Sequence, residues 1–321
     1  MTAELLARFF LPAFSNPILD QLNDQAVFDV HGIRLALTTD AFVVSPLFFP
    51  GGDIGCLAVN GTINDLAMCG AMPLALSAAF ILEEGLPFDD LQRVITSMAD
   101  ACRTAGVQLV TGDTKVVERG KGDGLFITTT GIGIVTHSLT ISADRAQPGD
   151  CLLVSGPIGD HGIAVLSARE GLEFETTLVS DTAPLHTLVQ AMMAVSPDIH
   201  CLRDPTRGGL ASTLNELAIS SRVGMRFDEN RLPIRDEVRA ACELLGLDPL
   251  YVACEGRLVA IVGARDADAV LACMHAHPCG AEARMIGEVV AVHPGMVTMR
   301  TVFGSERVVD MLAGAQLPRI C

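Results

Sequence analysis

Basic residues are scarce in this chain of 321 residues, which has 22 lysines and arginines against 38 aspartates and glutamates. With a formal charge of -16, the average surface would repel a phosphate backbone or an anionic membrane. We therefore expect no nucleic-acid partner. Half of the residues are hydrophobic, which excludes a disordered or fibrous chain and is enough for two domains with separate cores.

The chain also lacks a long uninterrupted apolar run and a basic leader. The stretch from Leu66 to Leu82 carries no charge, but Gly70 and Pro73 interrupt it, and it falls short of the ~18 residues that a membrane span requires. No basic segment followed by an apolar one opens the chain, so we expect no secretion signal. The prediction is a cytoplasmic protein without membrane contact, whose ten cysteines are reduced.

No Cys-x-x-Cys pair is present, which argues against a structural zinc site. The one cluster of zinc-type ligands is CMHAHPC, from Cys273 to Cys279, and its spacing fits no common zinc module. We interpret this segment as the end of a helix followed by a loop.

Strand and helix patterns alternate along most of the chain and favour an α/β (α+β) fold. IRLALTTDAFVV, PLALSAAFIL, VQLVTGDTK and LFITTTGIGIV are typical of strands, and GGDIGCLAVNGTINDLAMCG is typical of a helix. Asp89 and Gln92 form a plausible capping box for the next helix. We predict an N-terminal domain at 1–142, a C-terminal domain at 143–311 and a flexible tail at 312–321.

Acidic residues interrupt apolar segments at five points, where a carboxylate must be paired, protonated or bound to a cation. These residues are Asp40, Asp65, Asp113, Asp204 and Glu255. Taken singly, each has an ordinary structural explanation. Asp65 could be a solvent-facing helix residue, Asp113 a turn residue, and Asp204 a helix N-cap.

Taken together with Lys115 and glycine-rich turns, the five carboxylates are what a magnesium–nucleotide site requires. Oxygen ligands suit Mg²⁺, helix N-termini bind phosphates, and a lysine offsets charge that develops during phosphoryl transfer. The glycine-rich turns lie at Gly112, Gly156 to Gly162, and Gly208-Gly209. The Walker motif GxxxxGK[ST] and the kinase motifs HRD and DFG are absent, so a nucleotide would bind through another fold.

Eight segments of the chain resemble, in order, the HypE family of hydrogenase maturation factors. That family lies within the superfamily of aminoimidazole ribotide synthetase (PurM), selenophosphate synthetase and thiamine-monophosphate kinase. The segments are TTD, GTINDLAMCGA, FILEEGLP, VTGDTKVV, LVSGPIGDHG, RDPTRGG, ELLGLDPLYVACEGRLV and PRIC. The resemblance runs from about Asn23 to Cys321. Most of these motifs are shared across the superfamily, whereas the C-terminal PRIC distinguishes the HypE family.

The resemblance implies a PurM-like two-domain fold in which the N-terminal sheets of a homodimer join into a β-barrel. It implies that the carbamoyltransferase HypF carbamoylates Cys321, and that the chain uses ATP to dehydrate S-carbamoylcysteine to S-cyanocysteine. The cyano group then passes to iron on the HypC–HypD scaffold complex, on the way to a [NiFe]-hydrogenase. A C-terminal thiol, otherwise open to oxidation, is thereby explained as carrier and substrate.

The resemblance also implies roles for particular residues. The catalytic residues would be Cys321, Lys115, Glu255 and Asp65, and the Mg²⁺ ligands Asp40, Asp65, Asp113 and Asp204. The residues binding ATP would be Thr39, Asp40, Asp65, Gly112, Asp113, Asp204, Thr206 and Arg207. Family members usually carry a glycine-rich, GSGG-like stretch upstream that helps to cover the phosphates, whereas this chain begins MTAELLARFFLPAF.

Two other classes of function remain open from the residues alone. The first is an ATP-dependent synthetase or kinase of the same fold that acts on a free small molecule, for which the tail would be dispensable. The second is a non-enzymatic binding protein whose acidic residues hold a cation and whose terminal thiol binds a metal. That protein would bind no ATP.

Overall fold

The computed structural model describes residues 5–171 and 178–312. A π-helical turn, Leu6–Phe10, comes first. The α-helices are α1 (Leu11–Phe14), α2 (Ile54–Ala67), α3 (Phe88–Ala105), α4 (Asp160–Glu170), α5 (His186–Val195), α6 (Gly209–Ser221), α7 (Asp236–Leu245) and α8 (Ala267–His275). The strands are β1 (Ala26–Val30), β2 (Ile33–Phe42), β3 (Phe48–Phe49), β4 (Gly52–Asp53), β5 (Met72–Glu83), β6 (Gln108–Val117), β7 (Leu125–Ile134), β8 (Cys151–Val154), β9 (Ile199–Arg203), β10 (Gly224–Asp228), β11 (Val259–Val262), β12 (Arg284–Val290), β13 (Val297–Arg300) and β14 (Glu306–Val309).

The first sheet has five strands in the order β1-β2-β7-β5-β6 and is open, with β1 and β6 at its edges. Neighbouring strands are antiparallel except β5 and β6, which are parallel. Asp40 of β2 lies opposite Thr129 of β7, and Asp113 of β6 lies opposite Ala79 of β5. The four segments with strand patterns correspond to β2, β5, β6 and β7, so those predictions are confirmed.

The second sheet has seven strands in the order β14-β13-β10-β12-β8-β11-β9, and its only parallel neighbours within the described ranges are β10 and β13. Helices cover both faces. Leu152 of β8 shares a core with Leu214 of α6, while the next residue, Leu153, shares another with Val189 of α5. Because successive strand residues point to opposite faces, β8 is apolar along its whole length. The two sheets confirm the predicted two-domain α/β architecture.

Helix α2 lies between the two sheets and is buried on nearly every side. It packs against β2, β7 and α3, and Ile63 belongs to the core beneath the first sheet. Met68, directly after the helix, belongs instead to a core of the second sheet. Covered on several sides, α2 has no need of the one-sided apolar pattern of a surface helix. It therefore connects the two halves of the molecule rigidly.

The predicted capping box at Asp89 and Gln92 is wrong. Helix α3 begins one residue earlier, at Phe88, and Pro87 precedes it without a side-chain cap. Proline fixes an extended approach to the helix, so Asp89 already lies in the first turn, where its charge favours the helix dipole. The capping box belongs to α2, where Asp53 Oδ1 accepts the backbone N–H of Cys56 at 3.2 Å and Cys56 Sγ accepts the N–H of Asp53 at 3.3 Å.

The CMHAHPC segment has the predicted form, because α8 ends within it and a 3-10 turn follows at Pro278–Gly280. His275 Nε2 lies 2.9 Å from the carbonyl oxygen of Ala283, and His277 Nδ1 accepts the N–H of Cys279. Both imidazoles therefore stabilise local backbone. Among the helices of residues 5–171 and 178–312, none combines the length and apolar character needed to cross a membrane.

The outer face of the first sheet is exposed in the single chain. Leu37, Leu74 and Ile81, on β2 and β5, are 39%, 51% and 40% exposed. On the edge strand β6, Leu109 and Val110 are 45% and 62% exposed. PLALSAAFIL is thus covered on one face only, although an uncharged segment of this kind is typical of a strand buried on both faces. An apolar face and an unpaired edge strand of this kind are features of association surfaces.

Candidate active site

The first two carboxylates of the candidate site come from α2 and β2. Asp65 Oδ2 accepts a hydrogen bond from Thr38 Oγ1 at 2.7 Å, and Asp40 is two residues further along the same face of β2. Burial raises the pKa of Asp40, and the neighbouring Asp65 and Thr62 side chains oppose this change. Thr62 Oγ1 lies 3.5 Å from Asp40 Oδ2. The helix and the strand therefore form one acidic wall.

The second domain completes the cluster with Asp204, which follows β9 and is 6% exposed. Carboxylate oxygens of Asp24, Asp65 and Asp204 lie within 4.8 Å of one another. Asp24 was missed in the sequence, where the polar stretch QLNDQ does not distinguish it from an ordinary loop residue. Arg203 anchors Asp24, with Nε 2.7 Å from Asp24 Oδ1. The cluster thus draws on both domains.

Burial raises the pKa of every carboxyl in this cluster. Desolvation raises the pKa of Asp24 to about 6, although the charge of Arg203 opposes the change. Desolvation and the neighbouring carboxylates raise the pKa of Asp65 and of Asp204 well above the usual range. Converging carboxylates that cannot all remain charged need protons or a cation. Hard oxygen ligands at this spacing fit a divalent ion such as Mg²⁺.

Glu255 lies beside this cluster, on the loop before β11, and is 2% exposed. Its Oε1 accepts no hydrogen bond from the described residues. Desolvation raises the pKa of Glu255 well above its usual range, and the charges of Asp204, Asp181 and Asp40 add to the effect, while Arg207 opposes it. A buried carboxylate with a raised pKa is a stronger base than a solvated one, so it is suited to accept a proton.

Two predicted site residues, Asp113 and Lys115, lie apart from the buried cluster. They are on the exposed edge strand β6, where Lys115 Nζ is 2.8 Å from Asp113 Oδ2. This hydrogen bond lowers the pKa of Asp113, in contrast to the raised values of the cluster. The residue before them must be glycine, since a Cβ on Gly112 would collide with the carbonyl oxygen of Ala78 on β5. Within one chain, the predicted site therefore divides into a buried part and an edge part.

The remaining predicted site residues differ in their position relative to the carboxylate cluster. Thr39 lies on the opposite, exposed face of β2 from Asp40, and its Oγ1 donates to the carbonyl oxygen of Thr129 at 3.1 Å. Thr206 is half-buried at the turn before α6, followed by the exposed Arg207, whose charge reaches Asp40 and Glu255. Cys321 is outside the described residues.

The fold and the site have clear counterparts among known proteins. Residues 22–135 match the family model "AIR synthase related protein, N-terminal domain", and residues 147–299 match the corresponding C-terminal domain. The carbamoyl dehydratase HypE of Cupriavidus necator is 61% identical over 320 residues, which cover 99% of this chain and 91% of that protein.

Two solved structures are similar over nearly the whole chain. A HypE–HypF complex matches with a TM-score of 0.91 and 47% identity, covering 96% of this chain and 99% of the other. A HypE structure in complex with ATP matches with a TM-score of 0.88 and 50% identity, covering 100% of this chain and 96% of the other.

The raised pKa values predict how the cation-free chain responds to pH. The folded pKa of Asp65 exceeds its unfolded value near 4, so the free energy of unfolding of the protein falls as pH rises between these two values. The loss is about 1.4 kcal/mol for each unit by which the two pKa values differ. Asp65→Asn removes the charge and keeps an acceptor for Thr38. In EDTA, the melting temperature of Asp65→Asn relative to the parent should therefore rise between pH 5 and pH 8.

Asp113→Asn is the matched control, because its pKa is lowered and the carboxyl titrates below this range. We expect no change in its relative melting temperature between pH 5 and pH 8. A pH-independent difference for Asp65→Asn would contradict the burial of a charged carboxyl cluster.

Proposed function

This chain belongs to the HypE family of AIR synthase related proteins, and from that premise we propose that it dehydrates a carbamoyl group on its own Cys321. The product would be S-cyanocysteine, which supplies the cyanide ligand of [NiFe]-hydrogenase iron. The observation that carries the proposal is the cluster of the half-buried Asp24, Asp40 and Asp65 with the buried Asp204, which lies beside Glu255 and is built from both domains. Such a cluster fits the phosphates of a magnesium-bound nucleotide better than an uncharged ligand.

The reaction needs ATP because a carbamoyl oxygen is a poor leaving group. Transfer of the γ-phosphoryl group to that oxygen, with loss of one N–H proton, gives an S-alkyl imidate phosphate and ADP. Loss of the remaining nitrogen proton and cleavage of the C–O bond then give the nitrile and inorganic phosphate. A magnesium ion at the cluster would neutralise phosphate charge, with Asp40, Asp65 and Asp204 as its ligands. Glu255, with its raised pKa, accepts the proton.

The substrate is carried by the tail, 312–321. Ten extended residues span about 33 Å, which is enough for Cys321 to reach a site between the two domains. The tail follows the proposed domains 1–142 and 143–311. A cleft that closes around the tail would protect the phosphorylated intermediate from water. A relative's structure is described as a HypE–HypF complex, which supports HypF as the carbamoyl donor here. We propose the HypC–HypD complex as the acceptor of the cyano group.

A homodimer would explain the separate position of Asp113 and Lys115. We propose that the exposed faces of two first sheets join into a closed barrel, which would cover Leu74, Ile81 and the edge strand β6. Asp113 and Lys115 would then act from β6 at the border between two chains. Lys115 would stabilise the transferring phosphoryl group in that position.

Dimerisation is tested by light scattering at micromolar concentration, where the parent chain should have twice the monomer mass of 33.9 kDa. Val110→Arg puts a charge into the proposed interface and should shift the protein towards monomer. Val302, also 62% exposed but in the second domain, provides the control Val302→Arg. A monomeric parent, or equal dissociation by both variants, would contradict the barrel.

The role of Cys321 is tested by peptide mapping after incubation with carbamoyl phosphate, HypF and Mg·ATP. Cleavage after Arg319 releases Ile320-Cys321, on which a carbamoyl adduct and then its cyano form should appear. The nine other cysteines should stay unmodified. Cys321→Ser replaces the thiol with an alcohol that is essentially un-ionised, so it should bind ATP like the parent and form no cyano product. Cyanation of this variant, or modification of an internal cysteine, would refute the mechanism.

A further inference from the structure

Asn64 in α2 makes three hydrogen bonds across the boundary between the two domains. Its side-chain Nδ2 donates to the carbonyl oxygens of Ala183 at 3.1 Å and Glu255 at 3.0 Å. Its Oδ1 accepts the N–H of Leu185 at 2.8 Å. The side chain is 0% exposed, so each of these bonds is made without competition from water. Asn64 thus ties two loops of the second domain to the central helix.

The backbone at Glu255 is held from both sides. Asn64 binds its carbonyl oxygen, and Asp181 Oδ1 accepts its N–H at 2.9 Å. The next residue in the sequence must be glycine, since a Cβ on Gly256 would collide with the carbonyl oxygen of Asp181. The Glu255 side chain therefore extends from a peptide whose position is fixed before substrate binds. Such preorganisation matters most for a group that must meet a single reacting proton.

The same turn of α2 also carries Asp65 of the carboxylate cluster. Adjacent residues of an α-helix point about 100° apart, so Asp65 faces Thr38 of β2 while Asn64 faces the second domain. One rigid helix turn therefore fixes the distance between the proposed phosphate site and the proposed base. We propose that Asn64 is a positioning residue for the dehydration, acting through Glu255, an inference that rests on the proposed function.

Asn60 provides a matched control one turn earlier in α2. It is 5% exposed, and its Nδ2 donates to Thr182 Oγ1 at 3.2 Å. Asn60 therefore holds the same loop of the second domain, but its hydrogen bond is to a side chain and does not reach Glu255. If the interdomain hydrogen bonds were important only for stability, the loss of either asparagine would have similar effects on the reaction.

The test measures the single-turnover conversion of the S-carbamoyl chain to the S-cyano chain at saturating Mg·ATP. Asn64→Leu keeps the approximate volume and removes the three bonds, so the rate should fall about 10- to 100-fold. The ATP dissociation constant should stay within about twofold of the parent value, because the loss is in positioning the base. Asn60→Leu should convert at the parent rate. Asn64→Ser, small enough to admit water, replaces Asn64→Leu if the latter does not fold.

A double-mutant cycle decides whether Asn64 acts through Glu255. In a Glu255→Gln background, Asn64→Leu should slow the residual reaction by less than threefold, because the group that it positions is already lost. An undiminished slowing in that background, or a parallel loss of ATP affinity, would overturn the positioning role alone. If Glu255→Gln turns over like the parent, the base assignment and this inference both fail. Absence of cyano product from the parent would overturn the proposed function itself.

Discussion

Several carboxylates, half-buried or buried, meet at one point between the two sheets, and the neighbouring elements are arranged around them. Removing charged groups from water is unfavourable, and placing them within 4.8 Å of one another adds repulsion. The chain offsets part of this with Arg203, which is 2.7 Å from Asp24, and part with protons held at raised pKa values. Such a site would gain free energy by binding a divalent cation, which would offset the repulsion between the carboxylates.

Helix α2 makes such a site possible because it is fixed on almost every side. Its N-terminus is capped by Asp53, its middle packs under the first sheet, and its end enters a core of the second. A helix held in this way can present Asp65 to one domain and Asn64 to the other without local movement. The low amphipathicity of the segment follows from this double burial.

The sequence predicted four strands of the first sheet, the central helix and several acidic residues of the site, because each leaves a local pattern. Asp40, Asp65 and Glu255 were recognisable as charges in apolar surroundings, and they do lie close together. Asp24 could not be recognised, because its partners Arg203, Asp65 and Asp204 are distant in sequence. Thr39 was assigned with Asp40, although strand alternation puts it on the opposite face. The edge position of Asp113 and Lys115 depends on strand order, which local patterns do not determine.

If ATP activates the carbamoyl oxygen as a leaving group, that oxygen atom should be traceable into inorganic phosphate. The S-carbamoyl chain would be prepared with ¹⁸O in its carbonyl group and incubated with Mg·ATP in ordinary water. We expect one ¹⁸O atom to appear in inorganic phosphate for each cyano group formed, as measured by mass spectrometry of the phosphate. Cyano product accompanied by unlabelled phosphate, with the ¹⁸O released to water, would contradict activation of the carbamoyl oxygen by ATP.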